Sequence, residues 1–197
     1  MPYAVWNEDP LSLERAFALA QRAAGLEDSL PVAHQTLAYV SLVRKQFDQA
    51  IVEAERAVAL DPNDADACST LGEILSCTGR AQEAVGLVEK AMRLNPHYPA
   101  SYLFALGQAY SLTGRYEEAI SALRRLLTRN PDHLHGHFLL AIAYSEMGRT
   151  EEAREELSAC GAPDLTYSLE RVQDRIPYQD PTIIERWVNI LRKLRLR

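Results

Sequence analysis

Cysteine is scarce in this chain of 197 residues, at three, and an odd count leaves no closed disulfide framework to support a fold. Cys68 and Cys160 stand where a small apolar residue faces a neighbouring helix, so both are expected in the core. Cys77 is expected to be partly exposed, with nothing beside it along the chain to activate the thiol. Long apolar runs are lacking too. The longest clear one, Phe138 to Tyr144, falls far short of the roughly 18 to 20 residues that cross a bilayer. The opening residues have neither the basic start nor the apolar centre of a secretory leader, and the expected compartment is the cytoplasm. Positive charge is in deficit, 21 Lys and Arg against 27 Asp and Glu, for a net charge of −6. A phosphate backbone would meet repulsion over most of such a surface, which argues against nucleic acid as a partner. No phosphate-binding glycine loop, Gly-x-Ser-x-Gly turn or His-Glu-x-x-His helix occurs, so no catalytic residue and no cofactor is assigned.

What the chain does contain is a period. Leu37, Leu71, Leu106 and Leu140 step by 34, 35 and 34 residues, and Ala50, Ala84, Ala119 and Ala153 keep the same register. Gly79, Gly114 and Gly148 follow it, as do Pro62, Pro96 and Pro131, each preceded by Asp or Asn. Within one copy Leu103, Leu106, Gly107 and Tyr110 have helical spacing, and so do Tyr116, Ala119, Leu123 and Leu126, so each copy is two helices. Glycine ends the first by taking the left-handed conformation, and proline stops the second. Small residues at Gly107 and Ala119 let the paired axes approach closely. A hairpin of this size still exposes apolar surface that only a neighbouring hairpin covers, and stacking follows. A composition of 47% hydrophobic and 24% charged residues is that of a folded globular chain.

Leu71-Gly72, Leu75, Gly79-Arg80, Ala84, Val88, Ala91 and Pro96 resemble the signature of the tetratricopeptide repeat family. The resemblance implies an all-α fold, a right-handed superhelical solenoid of antiparallel helix pairs. Its copies are expected at about 31–64, 65–98, 100–133 and 134–163, with an extra residue in His97-Tyr98-Pro99-Ala100. The first copy departs from the pattern with Lys45 in place of the turn glycine and Ser41 where a large residue is usual. The fourth ends early at Cys160-Gly161-Ala162-Pro163. Residues 1–30 are expected to form an amino-terminal capping half-repeat, with a helix from Asp9-Pro10 closed by Gly25, and residues 164–197 carboxyl-terminal capping helices. Together these give eleven helices, no strands and one continuous domain. More loosely, the layout is similar to the repeat regions of bacterial signalling proteins such as class III nucleotide cyclases. No cyclase domain is present, so this implies at most a regulatory or assembly module.

The family pattern directs certain first-helix positions into a concave groove. The resemblance therefore implies Gln35, Tyr39, Asp66, Thr70, Glu73, Phe104, Gln108, Phe138 and Ile142 as partner-binding residues. Thr36, Leu42, Val43, Ser69, Cys77, Ser101, Leu112, His135, Leu139 and Glu146 stand beside them. Apolar residues inside a concave surface suit a peptide or helix of another protein. The alternative occupants are the chain's own terminal helix or a second copy, as in a self-associating regulatory module. The lysine, asparagine and arginine clamp with which some members grip a carboxyl terminus is missing. Gln35, Tyr39, Thr70, Ser101 and Ala105 stand in its place, which leaves a carboxylate no charge-assisted partner.

His133, His135 and His137 invite a metal reading. A helix beginning near Leu134 points His135 and His137 to different faces, and no cysteine or acidic residue completes a set, so no metal is assigned. Glu117-Glu118 and Glu151-Glu152 recur at equivalent positions, as a solvated face does. After Pro163, Leu165, Leu169, Val172 and Ile176 share one face of a further helix. Asp180-Pro181 then starts a last one, on which Ile183, Ile184, Trp187, Ile190, Leu191 and Leu194 form an apolar face. That helix is basic and amphipathic, and the expectation is that it docks on the fourth copy or the helix after it, with Trp187 buried, and not on a membrane.

Overall fold

The computed structural model describes residues 10–159 and 177–195. Among these residues there are ten α-helices and no strand: α1 Pro10–Leu26, α2 Pro31–Val43, α3 Phe47–Leu60, α4 Ala65–Cys77, α5 Ala81–Leu94, α6 Ala100–Leu112, α7 Tyr116–Arg129, α8 Leu134–Glu146, α9 Thr150–Ala159 and α10 Pro181–Arg195. The helix expected on Leu165 to Ile176, and Cys160 with it, lies outside the described residues. The chain divides into two compact units, Met1–His97 and Tyr98–Arg197, and the division falls at the copy with the extra residue.

In the first unit α2 pairs with α3 and α4 with α5. The first helices α2 and α4 lie side by side, and α1 packs on α2. In the second, α6 pairs with α7 and α8 with α9, α6 lies beside α8, and α10 packs against α8 and α9. Helix α1 begins at Pro10 as the spacing indicates and runs one residue past Gly25.

The turn between paired helices is built alike in all four copies. The amide of Gln46 donates to the Ser41 carbonyl at 2.8 Å, Arg80 to Leu75 at 2.8 Å, Arg115 to Tyr110 at 2.9 Å and Arg149 to Tyr144 at 2.9 Å. This reach back over five residues needs a left-handed residue just before the donor. Gly79, Gly114 and Gly148 supply it with φ of 83°, 74° and 74°. Lys45 takes the same conformation, φ 58°, so the first copy keeps the turn without the glycine, at a cost of roughly 1–2 kcal/mol in steric strain. Beyond the second helices, Asp61 and Asn95 each accept a hydrogen bond from the amide two residues on, at 2.9 and 3.1 Å, across the proline that stops the helix.

The pair interface rests on small residues. Ala50, Ala84, Ala119 and Ala153 are fully buried in the second helices. Opposite them a methyl on Gly72 would come within 2.7 Å of Val88 Cγ2, and one on Gly107 within 2.6 Å of Leu123 Cγ, so the axes meet at glycine distance. Ser41 is fully buried where the other copies have Leu75, Tyr110 and Tyr144, and its Oγ has no hydrogen-bond partner among the described residues.

His34 and His137 hold the same place in the first and fourth copies and make the same clamp. Their Nδ1 atoms meet Glu53 at 2.8 Å and Glu156 at 2.7 Å on the paired helix. Their Nε2 atoms meet the carbonyls of Asp28 at 3.0 Å and Pro131 at 2.8 Å in the preceding loop. A carbonyl only accepts, so Nε2 carries a proton in both rings.

Candidate partner-binding face

In the first unit the inner face is formed by α2 and α4, whose facing positions differ by one repeat. The phenol of Tyr39 on α2 donates to Glu73 Oε2 on α4, 34 residues on, at 2.5 Å. Gln35 Nε2, one turn earlier, donates to Asp64 Oδ2 at 2.9 Å. Asp64 is the amino-terminal cap of α4, its Oδ1 accepting from the amides of Asp66 at 2.8 Å and Ala67 at 3.0 Å. Two inner-face residues of one copy are thus tied to the next. Glu73 and Thr70 are buried, Gln35 and Tyr39 keep part of their surface, and Asp66 is exposed.

Burial disfavours the charged form of Glu73 and raises its pKa from 4.5 to about 7, although the hydrogen bond from Tyr39 works in the opposite direction. The Tyr39 phenol is pushed up as well, first by burial and then by the neighbouring Glu73 charge. Cys77, expected to be partly exposed, is buried instead, and this corrects the sequence reading. Helix α4 is flanked by α2, α3 and α5, so every residue from Ala67 to Cys77 is enclosed.

In the second unit the inner positions of α6 and α8 are largely filled from within. Gln108 Nε2 donates to the Tyr178 phenol at 2.6 Å, and Tyr178 lies edge-on to Trp187 with ring centroids 5.3 Å apart. Pro177 and Tyr178 are buried, as are Gln108, Phe138 and Ile142. Helix α10 is capped by Asp180, whose Oδ1 accepts from the Thr182 amide at 2.9 Å. It docks as expected with Trp187 only 5% exposed. Arg186 pairs with Glu146 at 2.6 Å, and Arg154 Nε donates to the Leu194 carbonyl at 3.2 Å. The buried stripe is Ile184, Trp187, Val188, Leu191 and Leu194, with Ile183 and Ile190 half-buried at its margins. It is therefore rotated slightly toward Val188 from the face the spacing indicates.

Of Phe104, Gln108, Phe138 and Ile142, Phe104 keeps accessible surface, as do Ser101, Leu112, His135 and Glu146 beside them. The Phe104 ring lies 5.0 Å from that of His133 and 6.5 Å from that of His135. The three histidines take separate tasks. His133 caps α8, its Nδ1 accepting from the Gly136 amide at 3.0 Å, and burial lowers its pKa. His135 joins the Phe104 ring cluster, and His137 turns to Glu156. Among the described residues no group of three His, Cys, Asp or Glu could hold a metal ion, and no helix is long and apolar enough to cross a membrane.

Two residues that organise these faces escape sequence reading. Asp64 has a signal, an aspartate just before a helical run. Tyr178 has none, because it meets Gln108 from 70 residues away.

Family models for the tetratricopeptide repeat match residues 64–132 and 112–165. No curated protein sequence matches the chain. Among solved structures, the chain is similar to a thermophilic tetratricopeptide protein of Thermus thermophilus, at 22% identity and a TM-score of 0.62 over 91% of this chain and 90% of that one. It is similar to YrrB, described as a TPR protein with an unusual peptide-binding site, at 22% identity and 0.60 over 85% and 87%. In the APC/C hetero-tetramer Cut9–Hcn1 the identity is 20% and the TM-score 0.72, over 84% of this chain and 33% of that one. At these identities the likeness is one of fold. The looser similarity to cyclase repeat regions has no counterpart in these matches.

Proposed function

Because the chain belongs to the tetratricopeptide repeat family, whose solenoids of antiparallel helix pairs present extended inner surfaces, we propose that it is a non-catalytic interaction scaffold that binds a peptide or helix of another protein on the inner faces of its first helices. The observation that carries this reading is Tyr39, an aromatic ring at an inner position, fixed by Glu73 from the next copy and still partly accessible. A ring already held in place loses little conformational entropy on binding, which is what an aromatic anchor at an interface requires. Gln35, Asp66 and Phe104 are the further contacts assigned to a partner. Thr70 and Glu73 set the Tyr39 side chain, while Gln108, Phe138 and Ile142 serve the second unit's own packing. The peptide-binding site named for YrrB supports a peptide as the class of ligand. The proposed division is a cap in 1–30, four copies in 31–163 and a cap in 164–197.

Selection of displayed random peptides against the intact protein tests this reading. Enriched peptides should bind the wild-type chain and lose at least about tenfold in affinity to Tyr39→Glu or Phe104→Glu, because a charge is placed on an apolar contact. Peptides that bind all three proteins equally would remove the inner faces as the site.

One observation favours self-association as a second reading. Leu11, Leu19 and Leu26 on α1 are 65%, 67% and 81% exposed and share one side of that helix. Light scattering over a dilution series decides it, a strictly monomeric species counting against it.

A further inference from the structure

The extra residue that breaks the period brings Tyr98 onto the outer surface of α7. Its ring stacks on Tyr102, centroids 6.2 Å apart with planes 11° from parallel. The Arg129 guanidinium lies 4.9 Å from the Tyr98 ring centroid and that of Arg125 5.9 Å. Arg125 Nη2 donates to the Tyr98 phenol oxygen, and Arg129 Nη1 to the Tyr98 carbonyl at 3.0 Å. Both arginines are exposed.

Arg44, Arg56, Arg80, Arg115, Arg149, Arg154 and Arg186 each pair with a carboxylate. Arg125 and Arg129 have none among the described residues, although the chain holds more acidic than basic groups. Arg15, Arg22, Arg93, Arg124 and Arg192 also make no ion pair among the described residues, but no two of them share one aromatic partner as Arg125 and Arg129 share Tyr98. Asp132 makes no ion pair with either, and Glu118 is held by Arg115 at 3.0 Å. Two like charges one helical turn apart, fixed by one aromatic residue, stay mutually repulsive until an anion lies between them.

We propose that Tyr98, Arg125 and Arg129 form a second docking surface, outside the inner faces, for an extended acidic segment of a partner protein. The planar guanidinium matches a carboxylate through paired N–H donors. Arginines one turn apart on a helix are spaced by roughly 6 Å, close to the repeat of side chains on one face of an extended strand. A segment with acidic residues at alternate positions therefore sets one carboxylate on each guanidinium. A long polyanion fits less well, because the excess negative charge lies in residues 1–97, which hold fourteen acidic and eight basic residues against thirteen of each in 98–197.

Fluorescence anisotropy of the full-length protein with a fluorescein-labelled peptide of alternating Glu and Ser, at low ionic strength, tests this surface. The wild type should bind it and not the matching Gln–Ser peptide. Arg125→Ala/Arg129→Ala should weaken binding at least about tenfold and Tyr98→Ala severalfold, with circular dichroism unchanged. Arg125→Lys/Arg129→Lys keeps the charge but not the fork, and should also weaken binding severalfold. Arg15→Ala/Arg22→Ala on α1, which removes the same charge elsewhere, should have no effect. The concave variant Tyr39→Glu should bind the acidic peptide as the wild type does, so this surface and the inner faces fail separately. Absence of binding to the wild type, equal loss in the α1 variant, or tighter binding of a single-stranded oligonucleotide than of the peptide would overturn the proposal.

Discussion

Replacing Gly107 by alanine adds one methyl group where α6 and α7 touch. That methyl would lie 2.6 Å from Leu123 Cγ and 2.7 Å from Cδ2, and Leu123 is fully buried, so it has little space in which to retreat. Overpacking of this kind costs roughly 1–3 kcal/mol, while removing glycine from a helix interior returns about 1 kcal/mol. The net expectation is a loss of about 1 kcal/mol. Gly86, in the middle of α5, is exposed, and a methyl there meets nothing within 4 Å. Gly86→Ala should therefore gain roughly 0.5–1 kcal/mol. Urea unfolding followed by circular dichroism reads both, as midpoint shifts of opposite sign at a common slope. The double variant Gly107→Ala/Leu123→Ala should lose less than the sum of its parts, since the new methyl occupies part of the cavity. If Gly107→Ala stabilises the protein as Gly86→Ala does, the close approach of the paired helices is wrong.

Ala119→Leu, at a fully buried site in the same interface, should cost roughly 1–3 kcal/mol, whereas Glu118→Ala beside it should change stability by no more than roughly 0.5 kcal/mol; equal melting temperatures for the two would remove the register. The raised pKa of Glu73, about 7 folded against 4.5 as its ordinary value, means that the folded state keeps a proton the unfolded state has released. Stability should accordingly fall as pH rises from about 4.5 to 7, by on the order of 3 kcal/mol in all. Glu73→Gln, whose carbonyl still accepts from Tyr39, should abolish that slope and raise the melting temperature at pH 8 but hardly at pH 5; an unchanged slope would count against burial of a titrating carboxyl. In a Trp6→Phe background Trp187 should emit at short wavelength, and removal of residues 181–197 should lower the melting temperature and promote aggregation. A truncated chain as stable and monomeric as the parent would refute the docking of α10.

Much of the fold was legible because the repeat imposes the same local chemistry several times. Glycine at the turn, Asp or Asn before proline, and alanine at the crossing each act within a few residues of chain, and each takes the expected role. Lys45 shows that the turn outlasts the loss of its glycine, since the pairing of α2 with α3 holds together the two helix ends that the turn joins. The apolar face of α10 was readable because amphipathicity is itself a periodic signal, yet its centre shifts toward Val188 once α8 and α9 define the surface it covers. Inner-face chemistry was less legible. Tyr39 and Glu73 stand at equivalent positions of successive copies, but nothing in one dimension says that they bond each other rather than a partner. Cys77 illustrates the same limit, because its burial follows from a helix flanked on three sides. Tyr178 and Tyr98 act where the period is broken or has ended, so no repeat position predicts their roles.

The central claim, that a partner is gripped on the inner faces, is tested most directly by site-specific photocrosslinking in living cells. A photoreactive phenylalanine analogue at position 39 or 104 should yield a discrete crosslinked protein product, and the same group at Val52, exposed on α3, should yield none. A product from position 52 equal to that from 39 and 104, or no product at either inner position, would contradict the account.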